Sequence, residues 1–319
     1  GIIFRDPNPN PIWSPQPPGW TWTSQVTRYN PVGNELENRD TLNRYAAELT
    51  GYRHTQVVAT AQNARYRQIA FDGFEDYFYD PNAPQTPCFR RHFEFALSPG
   101  QSLPVKKGTS HSGKYALELS GTTASITSGH LLKSPTPKDC PTPLAAKPAN
   151  TEFRLDDCDC VGVFSPDPGQ YVFSAWVRED RAANVLNFNQ ASVKITTTVG
   201  GQPTPLFTTL KAAGPIIEGW QRIFGEFSLP VGTTQVSFAL SAAPGVTTWF
   251  DDMRIHPFDA SFKSFVYDDV SLKFTYELDE NNFFTKYEYD QQGMLERVKK
   301  ETERGVMTIT CEFISTSRN

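Results

Sequence analysis

Two acidic positions carry the clearest chemistry in this chain. Asp251 lies in Thr248-Trp-Phe-Asp-Asp-Met-Arg-Ile255, where strand alternation puts it on the same face as Met253 and Ile255. A carboxylate buried there without a partner is costly, so the position calls for a cation. Glu75 opens the strand-rich part of the chain and Asp251 closes it. A hard, oxygen-ligated ion such as Ca²⁺ could join the two, with backbone carbonyls of the loop Ser110–Lys114 completing its shell. The competing reading leaves both carboxylates exposed or paired with arginine. Nothing here specifies catalysis. The histidines, His54, His92, His111, His130 and His256, lack the His-x-His or His-Glu-x-x-His spacing of a metal site. No Gly-x-Ser-x-Gly or phosphate-binding glycine loop is present, and no motif fixes the facing carboxylates of a glycosidase. No catalytic residue is assigned, and the chain reads as a non-enzyme.

The elements that must position these residues read as strands. With 319 residues, two or three structural units are expected, and 13% aromatic residues with 25 Pro and 21 Gly suit short strands and tight turns. From Ile69 onward, segments such as Tyr171–Val177, Trp220–Phe227, Gln235–Leu240 and Thr248–Ile255 alternate one apolar face with one mixed face, as packed antiparallel sheets require. A β-sandwich follows. Upstream, Asn38 or Asp40 could cap a helix whose stripe is Leu42, Tyr45, Ala46 and Leu49, ended by Gly51, and Val57 to Ala64 could add a second short helix. Residues 1–25 are proline-rich, carry Trp13, Trp20 and Trp22, and are expected to run extended as an arm able to dock on a partner. Residues 131–160 read as a proline-rich surface insertion, where a disulfide from Cys140 to Cys158 or Cys160 would close the loop. The others of the five cysteines are Cys88 and Cys311. Near the end, Tyr287-Glu-Tyr-Asp-Gln-Gln-Gly293-Met-Leu295 reads as a hairpin whose turn needs positive φ at Gly293.

A net charge of −5 without a concentrated basic surface argues against nucleic acid, and no apolar run reaches the ~20 residues of a membrane span. The chain begins at Gly1 without methionine, so it is expected to be a processed product or part of a longer polypeptide.

Two family resemblances follow from these residues. The pattern Tyr-x-Tyr-Asp-x-x-Gly-x-Leu at 287–295, with Gly305 beyond it, resembles one unit of the YD or Rhs repeats of large secreted and surface proteins. Val26-Thr-Arg-Tyr-Asn-Pro31 through Phe71-Asp-Gly-Phe-Glu-Asp76 is similar to the terminal region of Rhs-like surface proteins of Bacteroidota. Within that frame, Phe71–Asp76, Ser110-His-Ser-Gly113-Lys-Tyr-Ala-Leu117, Tyr171–Val177, Gly219-Trp-Gln-Arg and Trp249–Ile255 follow in the order found in carbohydrate-binding modules of jelly-roll, galactose-binding-like type. The resemblance implies a calcium site drawing on Glu75, the loop holding Ser112 and Lys114, and the pair Asp251 and Asp252. Glycan binding would use exposed aromatic faces. Tyr77 and Tyr79 are candidates in an irregular segment, and so is Trp176, although its patterned strand favours a core role.

The expected organisation is an arm at 1–25, a partly helical segment at 26–65, a jelly-roll sandwich at 66–260, and a YD-type hairpin tail at 261–319. The expected function is a calcium-stabilised, non-catalytic binding or adhesion module, secreted or at the cell surface, joined to an upstream Rhs-repeat portion. Its partner would be a glycan or another surface or secretion protein. The alternative is a structural, plug or cargo-docking role in a larger assembly.

Overall fold

The computed structural model describes residues 23–30, 33–78, 91–96, 102–120, 125–131, 164–180, 185–200 and 205–311. Trp13, Trp20, Trp22, Tyr79, Cys88 and the whole 132–160 part of the expected insertion lie outside them.

Strands β1 (Ser24–Tyr29), β2 (Glu35–Asp40), β3 (Tyr45–Gly51) and β4 (Gln56–Gln62) form an antiparallel meander. The sandwich strands follow: β5 (Ala70–Asp72), β6 (Val105–Lys107), β7 (Tyr115–Leu119), β8 (Ser125–Leu131), β9 (Gly169–Glu179) and β10 (Ala191–Val199). It continues with β11 (Leu206–Leu210), β12 (Ala212–Ile217), β13 (Trp220–Leu229), β14 (Thr233–Ala242) and β15 (Thr248–Pro257). The meander then resumes as β16 (Ser261–Tyr267), β17 (Phe274–Leu278), β18 (Phe284–Tyr289), β19 (Leu295–Thr302) and β20 (Gly305–Cys311).

The jelly-roll sandwich consists of a four-stranded sheet, β11-β10-β14-β8, and a seven-stranded sheet made of β12-β13-β9-β15-β7-β6 with β5 added beside β15. Phenylalanines fill the space between them. Phe238 has the rings of Phe93, Phe173 and Phe227 around it at 6.1, 6.0 and 5.7 Å. Burying each such ring contributes about 2–3 kcal/mol of transfer free energy.

The third sheet has nine strands, β1-β2-β3-β4-β16-β17-β18-β19-β20, and it is split in sequence. β4 pairs directly with β16, with Gln62 opposite Ser261, so the sandwich is inserted between two neighbouring strands of one sheet. One turn recurs four times among the described residues of that sheet. At Asn30, Asp40, Asp279 and Asp290 the carbonyl accepts the N–H three residues on, and the side chain accepts the N–H four residues on. The fourth residue has positive φ each time: Gly33 at 91°, Asn43 at 59°, Asn282 at 67° and Gly293 at 84°. Glycine and asparagine tolerate that conformation best, and the side-chain bond fixes the turn locally.

The helical expectation for the N-terminal segment is therefore wrong. Asp40, a potential helix cap, instead holds the β2–β3 turn, and Leu42 is left 71% exposed. From Tyr45 the chain alternates, with Ala47, Leu49 and Gly51 inward, and the second expected helix is β4, with Ala59 and Ala61 inward. A segment this short fits both periodicities, and pairing with β2, β4 and β16 decides between them.

Candidate functional site

Strand β15 separates the sandwich core from the nine-stranded sheet, so both of its faces are buried. It carries two consecutive buried carboxylates because its pairing with β9 shifts register between Asp251 and Arg254, with Asp252 at φ +47°. Asp251 Oδ2 accepts from the backbone N–H of His111 at 2.6 Å and of Ser112 at 3.3 Å, and its Oδ1 accepts from Asp252 N–H at 2.8 Å. Ser112 Oγ donates to Asp252 Oδ1 at 2.7 Å. Glu75 Oε1 accepts from the N–H groups of Lys114 and Tyr115, both at 2.7 Å, while its Oε2 is buried with no hydrogen-bond partner. Gly113, at φ +61°, leaves room for that carboxylate, which any Cβ there would overlap. The Lys114 ammonium points elsewhere, to Asp268 at 2.6 Å and to Asp269.

His111, whose place in the Ser110–Lys114 loop is its only role legible in the sequence, completes the cluster. The imidazole of His111 shares a hydrogen bond with Asp252 Oδ2 through Nδ1 at 2.7 Å, and through Nε2 meets both oxygens of Glu301 on β19 at 3.0 and 3.1 Å. Its ring lies flat on Trp176, centroids 4.2 Å apart. Burial alone would lower its pKa, but Glu301 and Asp252 raise it to about 9. Burial pushes Glu75 up to about 8 against the pull of its two N–H donors, with Asp252 and Asp269 adding to the rise. Asp251 is raised well above the carboxylate range by burial and then by the charges of Asp252 and Glu75. Of the four buried carboxylates, Asp252 and Glu301 bond to the imidazole, whereas Asp251 and Glu75 are held by main-chain N–H groups. Among the described residues, no group of three or more His, Cys, Asp or Glu is arranged to hold a metal ion. A cation at this site would therefore depend on main-chain oxygens as much as on side chains.

The aromatic candidates fare differently from one another. Trp176 is buried, donates its indole N–H to Asn282 O at 2.6 Å and packs against Phe283, so it offers no ring face to a ligand. With Ala116, Ile217 and Trp220 it forms the outer face of the seven-stranded sheet, against which Phe283 and Val306 of the C-terminal hairpins pack. Tyr77 is half-buried; its hydroxyl donates to Asp72 Oδ2 at 2.6 Å and Arg91 lies over its ring at 3.5 Å.

On the other outer face of the sandwich, that of the four-stranded sheet, Lys194, Gln235 and Phe207 are exposed, and Ser192, Thr196, Thr198, Ser237, Ala239 and Ser241 are half-buried. Val193, Ile195 and Thr197 of β10 point into the core, so Ser192, Lys194, Thr196 and Thr198 point outward. On β14, Val236, Phe238 and Leu240 point in, and Gln235, Ser237, Ala239 and Ser241 point out. Register aligns Thr196 with Ser237, Thr198 with Gln235 and Ser192 with Ser241, giving rows of short hydroxyl and amide side chains. On the edge strand β11, Phe207 stands opposite Thr196, is 67% exposed, and has the Lys194 ammonium 4.8 Å from its ring centre.

No family model and no curated protein matches the chain. Solved structures similar to it include the CBM22-1 and GH10 modules of the Clostridium thermocellum endo-1,4-β-D-xylanase 10B complexed with xylohexaose, at 12% identity and TM-score 0.35. That alignment covers 60% of this chain and spans only 28% of the xylanase chain. The CBM22-2 xylan-binding domain of a Paenibacillus barcinonensis protein aligns at 12% identity and TM-score 0.32, over 59% of this chain and 98% of the domain. A family 16 carbohydrate-binding module aligns at 15% identity and TM-score 0.30, over 49% of this chain and 88% of the module.

Proposed function

We propose that this chain is a non-catalytic glycan-recognising module, and that the ligand lies along the outer face of the four-stranded sheet. The observation that carries this is the contrast between the two outer faces of the sandwich. One is sealed by the C-terminal hairpins, whereas the other presents Ser192, Thr196, Thr198, Gln235, Ser237 and Ser241 in register beside the exposed ring of Phe207. Rows of hydroxyl groups repeat every ~4.8 Å across strands and every ~6.8 Å along them, a spacing that sugar hydroxyls can meet without reshaping the protein. Phe207 supplies a stacking face, and a rigid sheet loses little entropy on binding. The absence of any concentrated positive field suits a neutral polysaccharide better than a polyanion. The fitting setting is an exported Rhs-like surface protein, in which the repeated Asx-anchored hairpins carry the sandwich.

The same reading places a hard cation such as Ca²⁺ at the acidic cluster. Because no three of these carboxylates are arranged around one point, Glu75, Asp251 and Asp252 would supply at most two side-chain ligands at a time, and carbonyls of the 110–114 loop would have to supply the rest. When bound, the ion would favour the ionised forms of Glu75 and Asp251, which burial otherwise disfavours.

The test is retention on polysaccharide affinity gels, with xylan in the panel because two of the similar structures are named for it or for its oligomer. Wild type should be slowed by at least one polysaccharide, and Phe207→Ala should lose most of that retardation. Equal mobility of the two proteins on every gel would refute the assignment.

A further inference from the structure

A cavity of about 100 Å³ lies between the β3–β4 turn and the loop after β5, where the nine-stranded sheet meets the sandwich. Its wall combines rings, from Tyr52, Phe71 and Phe265, with charged groups, from Glu75, Asp76 and Arg91. Two of those charges balance each other. Arg91 is ion-paired with Asp76, and Asp76 Oδ2 also accepts the Tyr52 N–H at 3.1 Å. The turn forming one side is held in an unfavourable conformation, with Tyr52, Arg53 and His54 consecutively at φ +48°, +59° and +63°. Such strain persists only where surrounding contacts over-determine it, and here Tyr52 is pinned through its hydroxyl to Tyr267 O at 2.8 Å. Glu75, 4% exposed, keeps Oε2 without a hydrogen-bond donor.

The lining selects a ligand class. An apolar guest would lie against the carboxylates of Asp72, Glu75 and Asp76 and the guanidinium of Arg91 without offering any of them a hydrogen bond. A small anion would meet the carboxylates of Asp72, Glu75 and Asp76. A neutral polyhydroxylated ring answers both demands, giving hydroxyl donors to the carboxylates, acceptors to Arg91 and ring faces to the aromatics. A cavity of about 150 Å³ holds benzene, so this one takes part of a single six-membered ring, with the remainder at the mouth beside exposed Arg53.

We propose that this cavity is a second saccharide site, separate from the outer face of the four-stranded sheet, which takes one terminal sugar residue of a glycan. The choice of ligand class rests in part on the glycan-recognition reading. The site itself rests on the cavity.

The experiment is thermal unfolding of the full chain with a panel of methyl pyranosides at 100 mM, run in calcium and in chelator. A single-residue site with Kd of about 10 mM raises Tm by about 2 °C for a chain of this size. That rise should appear for at least one sugar in wild type, vanish in Val58→Phe, which fills the cavity, and shrink in Arg53→Ala/His54→Ala. If Val58→Phe does not fold, the double variant, confined to the turn, decides. The proposal fails if no sugar gives a rise, or if the rise survives both cavity variants. It also fails if the rise is lost in Phe207→Ala but kept in Val58→Phe, or if it requires calcium. Failure here with polysaccharide retention intact would leave the outer-face reading standing.

Discussion

Replacing Glu301 by glutamine, or His111 by asparagine, should loosen the C-terminal hairpins from the sandwich. The Asp252–His111–Glu301 chain joins β15 of the sandwich to β19 of the nine-stranded sheet, and its side chains are at most 1% exposed. Breaking a buried ion pair by removing one partner costs about 3–5 kcal/mol, because the survivor keeps its charge without compensation. The lower end applies here, since Ser112 Oγ still donates to Asp252 and Phe284 N–H to Glu301. With an unfolding entropy of ~2.1 cal/mol/K for each of 319 residues, a loss of ~3 kcal/mol lowers Tm by ~4–5 °C. The pH dependence gives a second handle. The folded pKa of His111, about 9, lies above the unfolded value of about 6.5. Its contribution is therefore fully present below pH ~6.5 and lost as pH rises through ~9. Denaturant melts of wild type and His111→Asn, followed by tryptophan fluorescence because Trp176 stacks on this ring, should show a gap that is large at pH 7 and narrows by pH 10. A cost below ~1 kcal/mol at pH 7, or a gap that does not change with pH, would refute the buried imidazolium.

Other outcomes follow from the same geometry. Gly113→Ala should cost at least ~2 kcal/mol, because the new Cβ overlaps the Glu75 carboxylate at a positive φ, while Gly108→Ala, with nothing within 4 Å, should cost less in the same melts. Trp176→Phe should destabilise by about 1–3 kcal/mol through loss of the bond to Asn282 O, yet leave polysaccharide retention unchanged; reduced retention would return Trp176 to the ligand face. Calcium at 1 mM should raise Tm by ~4 °C over chelator if Kd is near 10 μM, and Glu75→Gln should abolish most of that rise. Identical melting with and without chelator would remove the ion.

The strands were legible where alternation was long. Tyr171–Val177, Trp220–Phe227, Gln235–Leu240 and Thr248–Ile255 all lie within strands of the sandwich, and the hairpin turn at Gly293 has the positive φ its sequence demanded. The burial of Asp251 was also readable, but the simultaneous burial of Asp252 was not, because alternation alone sends it to the opposite face. A shifted register and a second covering sheet bury both. His111 and Glu301 stand 190 residues apart, and no local pattern announces their meeting. The β1–β4 strands carried a signal that went unused. Tyr29-Asn30 with Gly33, and Asp40 with Asn43, repeat the spacing of Tyr289-Asp290 with Gly293. That shared spacing marks hairpin turns and not helix caps. In β10, Ser192, Lys194, Thr196 and Thr198 alternate with the core residues, but short hydroxyl side chains carry no local signal that separates a binding face from a solvated one.

The most direct test of glycan recognition is amide chemical-shift mapping of the isotope-labelled chain, titrated with oligosaccharides of a polysaccharide that retards it. Perturbations should concentrate on β10, β14 and β11, largest around Thr196, Ser237 and Phe207, and disappear in Phe207→Ala. Perturbations confined to the nine-stranded sheet, or none at saturating oligosaccharide, would contradict the account.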